Sequence, residues 1–379
     1  MALRWHGQTA WGGVIMDSLE TGQILDSRFN LSEAAGATSF FSRMANALPQ
    51  TMPAAATTPL HIRVSEVSRH ELLDSVTRWD HWGYFHRSSN YPHWNLRGLV
   101  DHGQIALPAQ GLLFQHHAQR SMLEVFIDPQ TARRGAELTY HAARNLALWR
   151  RGLQYAPMLH ASAVIFEGKA WLLLGEKGAG KSTLFIEAIL RHGAEPLSND
   201  RVVLDTQSQA TVWPWPSYIS YCEGTVIDYP ELRRVFLAAS RVPGHDHRSG
   251  FYRGSYTQSH KRIAPPFLLS EVLKRPYEAS GELGGIIRAR MTPGCSGGLR
   301  IKSVASTAAL TPEGIQGVLF GREDPDFPCW HDDVGPAMAG AADTLDHTLG
   351  WMRQADVPLV DIDFDPVLGK PKLSQVFVR

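Results

Sequence analysis

The chain predicts an α/β fold in which a mostly β N-terminal domain precedes a strand–loop–helix core, and three observations carry that expectation. Residues 1–130 break into short runs of alternating or clustered apolar and aromatic residues separated by turn residues, the pattern of strands. Residues 132–153 (ARRGAELTYHAARNLALWRRGL) space Leu138, Ala142, Leu146 and Trp149 at helical intervals with arginines between them. In Trp171–Ile186 (WLLLGEKGAGKSTLFI) a short apolar strand runs into a glycine-rich turn and then into a helical pattern. The expected organisation is a β domain over 1–130, a linking helix over 131–154 and an α/β core over 155–379.

In the first part, WGGVIMDSL, LHIRVSEV, WGYFHRSS, LRGLVDHGQIAL and LEVFIDP read as strands, and Ala47–Pro59, with three prolines and a run of alanines, reads as a surface loop. In the core, LHASAVIFEG and KAWLLLG read as strands, Lys181–His192 as a helix stopped by Gly193, and RVVLD as the next strand. Val242–Arg262 is rich in glycine, histidine and arginine without apolar periodicity, which predicts a mobile loop beside the site. Further on, Leu283–Met291 and Leu299–Val304 read as strands about a turn, Ala337–Arg353 as a helix and Pro358–Phe364 as a last strand.

Composition narrows the function classes. A length of 379 residues with 44% hydrophobic content is enough to bury two or three cores, so a folded chain is expected. Lys+Arg and Asp+Glu balance at 37 each, so no global field favours nucleic acid or anionic lipid, and neither is an expected partner. The N-terminus lacks a charged start followed by an apolar stretch, and no apolar run reaches the roughly 18 residues that span a bilayer, which predicts a cytoplasmic protein. Cys222, Cys295 and Cys329 form no C-x-x-C pair and are odd in number, which fits reduced thiols. Whether the chain forms a homo-oligomer is left open by the pattern.

The chemistry is concentrated in Gly175-Glu176-Lys177-Gly178-Ala179-Gly180-Lys181-Ser182-Thr183, which satisfies G-x4-G-K-[ST] in its required setting between a strand and a helix. The glycines let backbone N–H groups curl around an anion. Lys181 can reach β- and γ-phosphates, and the Ser182 hydroxyl can ligate Mg²⁺ at the positive end of a helix. ATP and Mg²⁺ are the expected cofactors. There is no N-K-x-D or L-S-G-G-Q motif, which argues against small GTPases and transporter ATPases.

A second set of residues makes the reading specific. His160-Ala-Ser-Ala-Val164, a β-turn at Glu167-Gly168, the glycine loop, and Leu197-Ser-Asn-Asp200-Arg-Val together resemble the catalytic core of the HPr kinase/phosphorylase family and its kinase relatives. That family is similar to phosphoenolpyruvate carboxykinase in its nucleotide site, and its relatives include kinases of peptide precursors. The resemblance covers residues 159–204, with weaker echoes in Trp213-Pro-Trp-Pro216 and Leu283–Gly294, and does not extend to residues 1–150. It implies that Ser182 and Asp200 share Mg²⁺, that His160 lies beside the transferred phosphate, and that the acceptor is a hydroxyl of a small molecule or of a peptide serine. Where the family commonly carries two adjacent acids, the first tied to proton removal, this chain has Asn199-Asp200. Asn199 cannot act as a base, so either His160 takes the proton or a loose transition state needs little base help. Phosphorylase activity is left without support.

Other signals have plainer readings. Arg288 and Arg290 alternate on one strand and share a face, where they could clamp phosphate or acceptor, and Lys261, at the end of the glycine- and histidine-rich loop, could close over the γ-phosphate. Solvated side chains are a close rival reading for the two arginines and the plainer one for Lys261. Gly294-Cys-Ser296-Gly-Gly298 fits a nucleophile elbow in letters only, since a strand follows it, and a hairpin turn is the better account. His245-Asp-His247 and His331-Asp-Asp333 lack partners at zinc spacing. Trp79, Trp82, Tyr84, Phe85, Tyr91 and Trp94 could make a ligand shelf, although strand aromatics are usually core. The competing functional reading is a non-kinase ATPase or nucleotide-gated binding module, with Asp205, Asp361 or Asp363 as the second metal-site carboxylate.

Overall fold

The computed structural model describes residues 20–24, 27–32, 60–77, 83–86, 92–96, 102–107, 111–128, 130, 138–139, 142–143, 146, 156–205, 210–215, 217–241, 261–295, 298–319, 341–367 and 371–377. It is a mixed α/β chain. Its strands are β1 (Glu20–Ile24), β2 (Ser27–Ser32), β3 (Leu60–Glu66), β4 (Gly83–His86), β5 (Pro92–Leu96), β6 (His102–Leu107), β7 (Leu112–His117) and β8 (Met122–Ile127), followed by β9 (Met158–Leu159), β10 (Ser162–Phe166), β11 (Lys169–Leu174), β12 (Glu195–Ser198), β13 (Val202–Asp205), β14 (Thr211–Pro214), β15 (Ile219–Cys222), β16 (Lys261–Ala264), β17 (Gly281–Met291), β18 (Leu299–Ser306) and β19 (Pro358–Phe364).

β1 to β8 form one sheet in the order β1-β2-β3-β8-β7-β6-β5-β4. The runs LHIRVSEV, WGYFHRSS, LRGLVDHGQIAL and LEVFIDP all contribute strands to it. A short helix, Arg69–Thr77, interrupts the strands. Its start is set by a capping box: the Ser68 N–H donates to Glu71 at 2.9 Å while the Glu71 N–H donates to the Ser68 hydroxyl at 3.3 Å. In the expected linking segment, Leu138, Thr139, Ala142, Ala143 and Leu146 are helical, and Ala142, Ala143 and Leu146 are buried. The expected loop Ala47–Pro59 and the strand WGGVIMDSL lie outside the described residues, as do the side chains of the tryptophan-rich cluster.

The second sheet runs β12-β10-β11-β17-β14-β13-β9, with β19 paired to β17 and β18 paired to β19. Apolar side chains alternate between its two faces, and both faces are covered. One carries Val164, Trp171, Leu173, Ile287, Ala289, Ile362 and Phe364 against Leu184, Phe185, Ala188 and Ile189 of the helix Lys181–Arg191. The other carries Ala163, Ile165, Leu172, Leu174, Ile286 and Leu359 against Leu349, Trp351 and Met352 of the helix Ala341–Ala355. β17 keeps this alternation by a bulge: its pairing with β11 shifts between Ala170 and Trp171, so that Gly284 is the extra residue. A side chain there would meet Lys169 Cβ at 2.4 Å, and one at Gly285 would meet the Trp171 ring at 2.4 Å.

Two expectations are corrected at this level. Leu299–Ser306 does not form a hairpin with the strand before Gly294: β19 inserts between β17 and β18, parallel to the first and antiparallel to the second. LHASAVIFEG is not one strand either, because β9 pairs with β13, the chain bends at His160, and β10 then joins β11. Among the described residues no helix is long and apolar enough to cross a membrane.

Candidate active site

Strand directions bring the sequence-predicted site together. β11 runs parallel to β17, and β17 parallel to β19, so Leu174, Met291 and Phe364 end at one edge of the layer. β10 runs antiparallel to β11 and β12 antiparallel to β10, which puts the start of β10 and the end of β12 at that same edge. The Gly175–Gly180 loop, the His160 bend and the Asn199-Asp200 turn therefore converge from separate stretches of sequence.

The loop has the shape its glycines permit. Gly175, Gly178 and Gly180 have φ of 149°, 93° and 87°, values that side chains disfavour, and the Ala179 N–H donates to Glu176 O at 3.0 Å to close the turn. Space is as restrictive as torsion: a Cβ on Gly175 would lie 2.6 Å from Ala289 O, and one on Gly180 would lie 2.2 Å from the Phe364 ring. Gly180 leads directly into the helix Lys181–Arg191, whose first turn has no side-chain cap, so this end offers backbone N–H groups to an anion. Lys181 is buried, and its ammonium donates to Gly175 O at 2.7 Å and Glu176 O at 3.2 Å. Glu176, Lys177 and Gly178 are exposed and Ser182 is half-buried. The Thr183 side chain turns inward, 3.0 Å from the Thr225 hydroxyl, so that only its backbone faces the loop.

Opposite the loop, His160 Nε2 lies 3.3 Å from Asp200 Oδ1, with His160 31% and Asp200 41% exposed, so the pair is open to solutes. The His160 backbone is fixed by its N–H donating to Val318 O at 2.6 Å. The turn carrying Asp200 is closed by the Ser198 hydroxyl, which donates to Arg201 O and accepts from the Trp215 N–H at 3.2 Å. Arg201 Nε stands 3.6 Å from the other Asp200 oxygen. Asn199 is buried: its backbone carbonyl accepts the Ser162 hydroxyl, and its Oδ1 has no hydrogen-bond partner among the described residues.

The remaining candidates separate. Arg288 is held by a bidentate pair with Asp361, Nε–Oδ1 2.6 Å and Nη2–Oδ2 2.8 Å, and is therefore not available as a clamp. Ser303 donates to the same carboxylate. Burial works to raise the Asp361 carboxyl, but the bonds from Arg288 and Ser303 outweigh it and hold the group below its usual value. Arg290 is exposed, one residue beyond the Ala289 carbonyl that abuts Gly175. Lys261 is the first residue of β16, paired with Cys222, and the neighbouring Arg262 is buried 2.8 Å from Glu223. His245, His247, His331 and Asp333, and most of the Val242–Arg262 segment, lie outside the described residues.

The carboxylates of the competing reading are placed unfavourably. β13 runs away from the site edge, and Asp205 pairs with Thr211, which pairs in turn with Glu282 at the opposite end of the sheet, about 10 Å from Val202. Asp361 and Asp363 project from the face opposite the helix Lys181–Arg191, and Asp363 is bound by Arg300 at 2.7 Å. Among the described residues no three His, Cys, Asp or Glu side chains cluster as a metal cage. No protein-family model matches the chain, and no curated protein matches it.

Proposed function

We propose that the chain is an ATP-dependent kinase of HPr kinase-like core type, transferring the γ-phosphoryl group to a hydroxyl of a small molecule or of a peptide serine. The observation that carries this reading is the His160–Asp200 pair at the same sheet edge as the Gly175–Ser182 loop. A loop in which Gly175 and Gly180 leave no room for a Cβ fits a polyphosphate lying against backbone, and a hydroxyl with a single carboxylate fits a hard cation completed by phosphate oxygens and water. Ser182 and Asp200 would hold Mg²⁺, which when bound offsets charge on the β- and γ-phosphates.

Each side chain then has a defined task. The loop N–H groups and Lys181 hold the phosphates, the ammonium exchanging the Gly175 and Glu176 carbonyls for phosphate oxygens. The acceptor oxygen forms a bond to the γ-phosphorus as the bond to the β-bridging oxygen breaks; ADP leaves with that electron pair, and the hydroxyl proton passes to His160. Asp200 orients the imidazole for this. Arg290, exposed beside the loop, is available as a cation of the expected clamp. If His160 takes the proton, His160→Ala lowers the transfer rate while Mg²⁺-ATP binding is kept; a rate unchanged by that substitution assigns the transfer to positioning alone.

The test of the reading is calorimetric titration of ATP with and without Mg²⁺. Wild type binds ATP more tightly with Mg²⁺, and Asp200→Asn and Ser182→Ala lose that difference while Asp361→Asn keeps it. The opposite ranking of the two aspartates makes the chain a different kind of nucleotide-binding protein.

A further inference from the structure

The helix Pro230–Ala239 starts at a proline suited to the first helical position and buries Leu232, Val235, Phe236 and Ala239 in the core. At 100° per residue, Arg233, Arg234, Leu237 and Arg241 (just past its end) fall on its opposite side within a sector of about 100°, with Leu237 near the middle. All four are exposed, Leu237 at 53%. Among the described residues no carboxylate pairs with any of the three arginines. Glu231 lies off this sector and is taken by Arg191 at 3.1 Å, while Asp228 and Glu271 have partners of their own. In a chain whose charges balance overall, this is a concentrated positive surface with an apolar centre.

We infer that this helix face docks an acidic segment of a partner protein that carries an apolar side chain among its carboxylates. An apolar centre ringed by arginines is the anatomy of a protein interface, where arginine is enriched and supplies bidentate contacts to carboxylates. A membrane surface is a poorer match, because among the described residues the helix face exposes one leucine and no aromatic residue to insert. Nucleic acid is a poorer match because, among the described residues, the helix face holds no aromatic side chain for stacking, and the chain has no net positive charge. The inference is independent of the phosphoryl-transfer reading.

The experiment is fluorescence anisotropy of the full chain with a labelled twelve-residue Glu/Asp peptide carrying one central leucine, at about 0.05 M and about 0.3 M salt. Wild type binds it more tightly at low salt. Arg233→Glu with Arg234→Glu weakens binding about tenfold or more, since each exposed pair contributes several-fold and reversal adds repulsion. Leu237→Ser weakens it further, and a Lys/Arg peptide of the same pattern binds the charge-reversed variant instead. All substitutions are on the surface, and an unchanged thermal transition checks the fold. No binding of the acidic peptide, or binding indifferent to the reversal, overturns the inference. So does tighter, arginine-dependent binding of vesicles of phosphatidylcholine and phosphatidylserine or of a single-stranded oligonucleotide, either of which reassigns the face.

Discussion

Gly180→Ala separates torsion from space at the loop–helix junction. Gly180 has φ of 87°, and a Cβ there would lie 2.2 Å from Phe364 Cζ, 3.0 Å from Phe364 Cε1 and 3.1 Å from Met291 Cγ. Left-handed backbone costs alanine about 1–2 kcal/mol, and forcing a methyl group into a filled site costs about 1–3 kcal/mol more. The expected loss of stability is therefore about 2–5 kcal/mol. Gly168→Ala is the internal control, because φ is 75° there and no atom lies within 4 Å of the added Cβ, so only the torsional cost of about 1–2 kcal/mol applies. Adding Phe364→Leu to Gly180→Ala should recover part of the clash and none of the torsion. Thermal and urea unfolding of the three variants measures these differences, and calorimetry with Mg²⁺-ATP reads the function: Gly180→Ala binds nucleotide at least tenfold more weakly, while Gly168→Ala, on the β10–β11 turn, leaves binding unchanged. Equal stability of the two alanine variants, or wild-type nucleotide affinity in Gly180→Ala, refutes the reasoning.

Three further outcomes follow from the same geometry. Lys181→Ala should lower phosphoryl transfer by about 100-fold or more, and, because the ammonium also ties the Gly175 and Glu176 carbonyls, it should cost about 1–2 kcal/mol of stability in unfolding measurements. Asn199→Asp should not rescue a base: it buries a carboxylate where Oδ1 has no donor among the described residues, and a drop of about 2 kcal/mol in urea unfolding with no gain in rate is expected. Asp361 is held below its usual value when folded, so its ionisation stabilises the fold above the unfolded value of about 4 and that contribution is lost as pH falls through the lower folded value. Asp361→Asn should thus be less stable than wild type at neutral pH by about 1 kcal/mol, with the gap closing below about pH 4.

What was legible in the sequence was what local rules determine. The Glu167-Gly168 turn reads as a tight hairpin, and both residues have the positive φ, 49° and 75°, that such a turn requires. The helix after the glycine loop and the stop at Gly193 follow from periodicity and a left-handed terminator. Ser68-x-x-Glu71 signals the start of the helix Arg69–Thr77, but the apolar strand immediately before it hides that signal in the run of alternating residues. The helix Pro230–Ala239 had a comparable signal in its first-turn proline. Long-range pairing was not legible at all. Nothing local says that β19 enters between β17 and β18, and so nothing says that Asp361 captures Arg288 and leaves Arg290 exposed. The bend at His160 is likewise a consequence of two different neighbours, β13 before it and β11 after it.

The most direct measurement of the central claim is transfer of labelled phosphate from γ-labelled ATP, with Mg²⁺, to a panel of hydroxyl compounds and serine-containing peptides. The account predicts label on at least one acceptor with matching ADP release, lowered about 100-fold or more by Asp200→Asn and changed less than about threefold by Asp361→Asn. Label appearing only as inorganic phosphate under every acceptor condition, with Asp361→Asn abolishing its release and Asp200→Asn sparing it, would contradict the account.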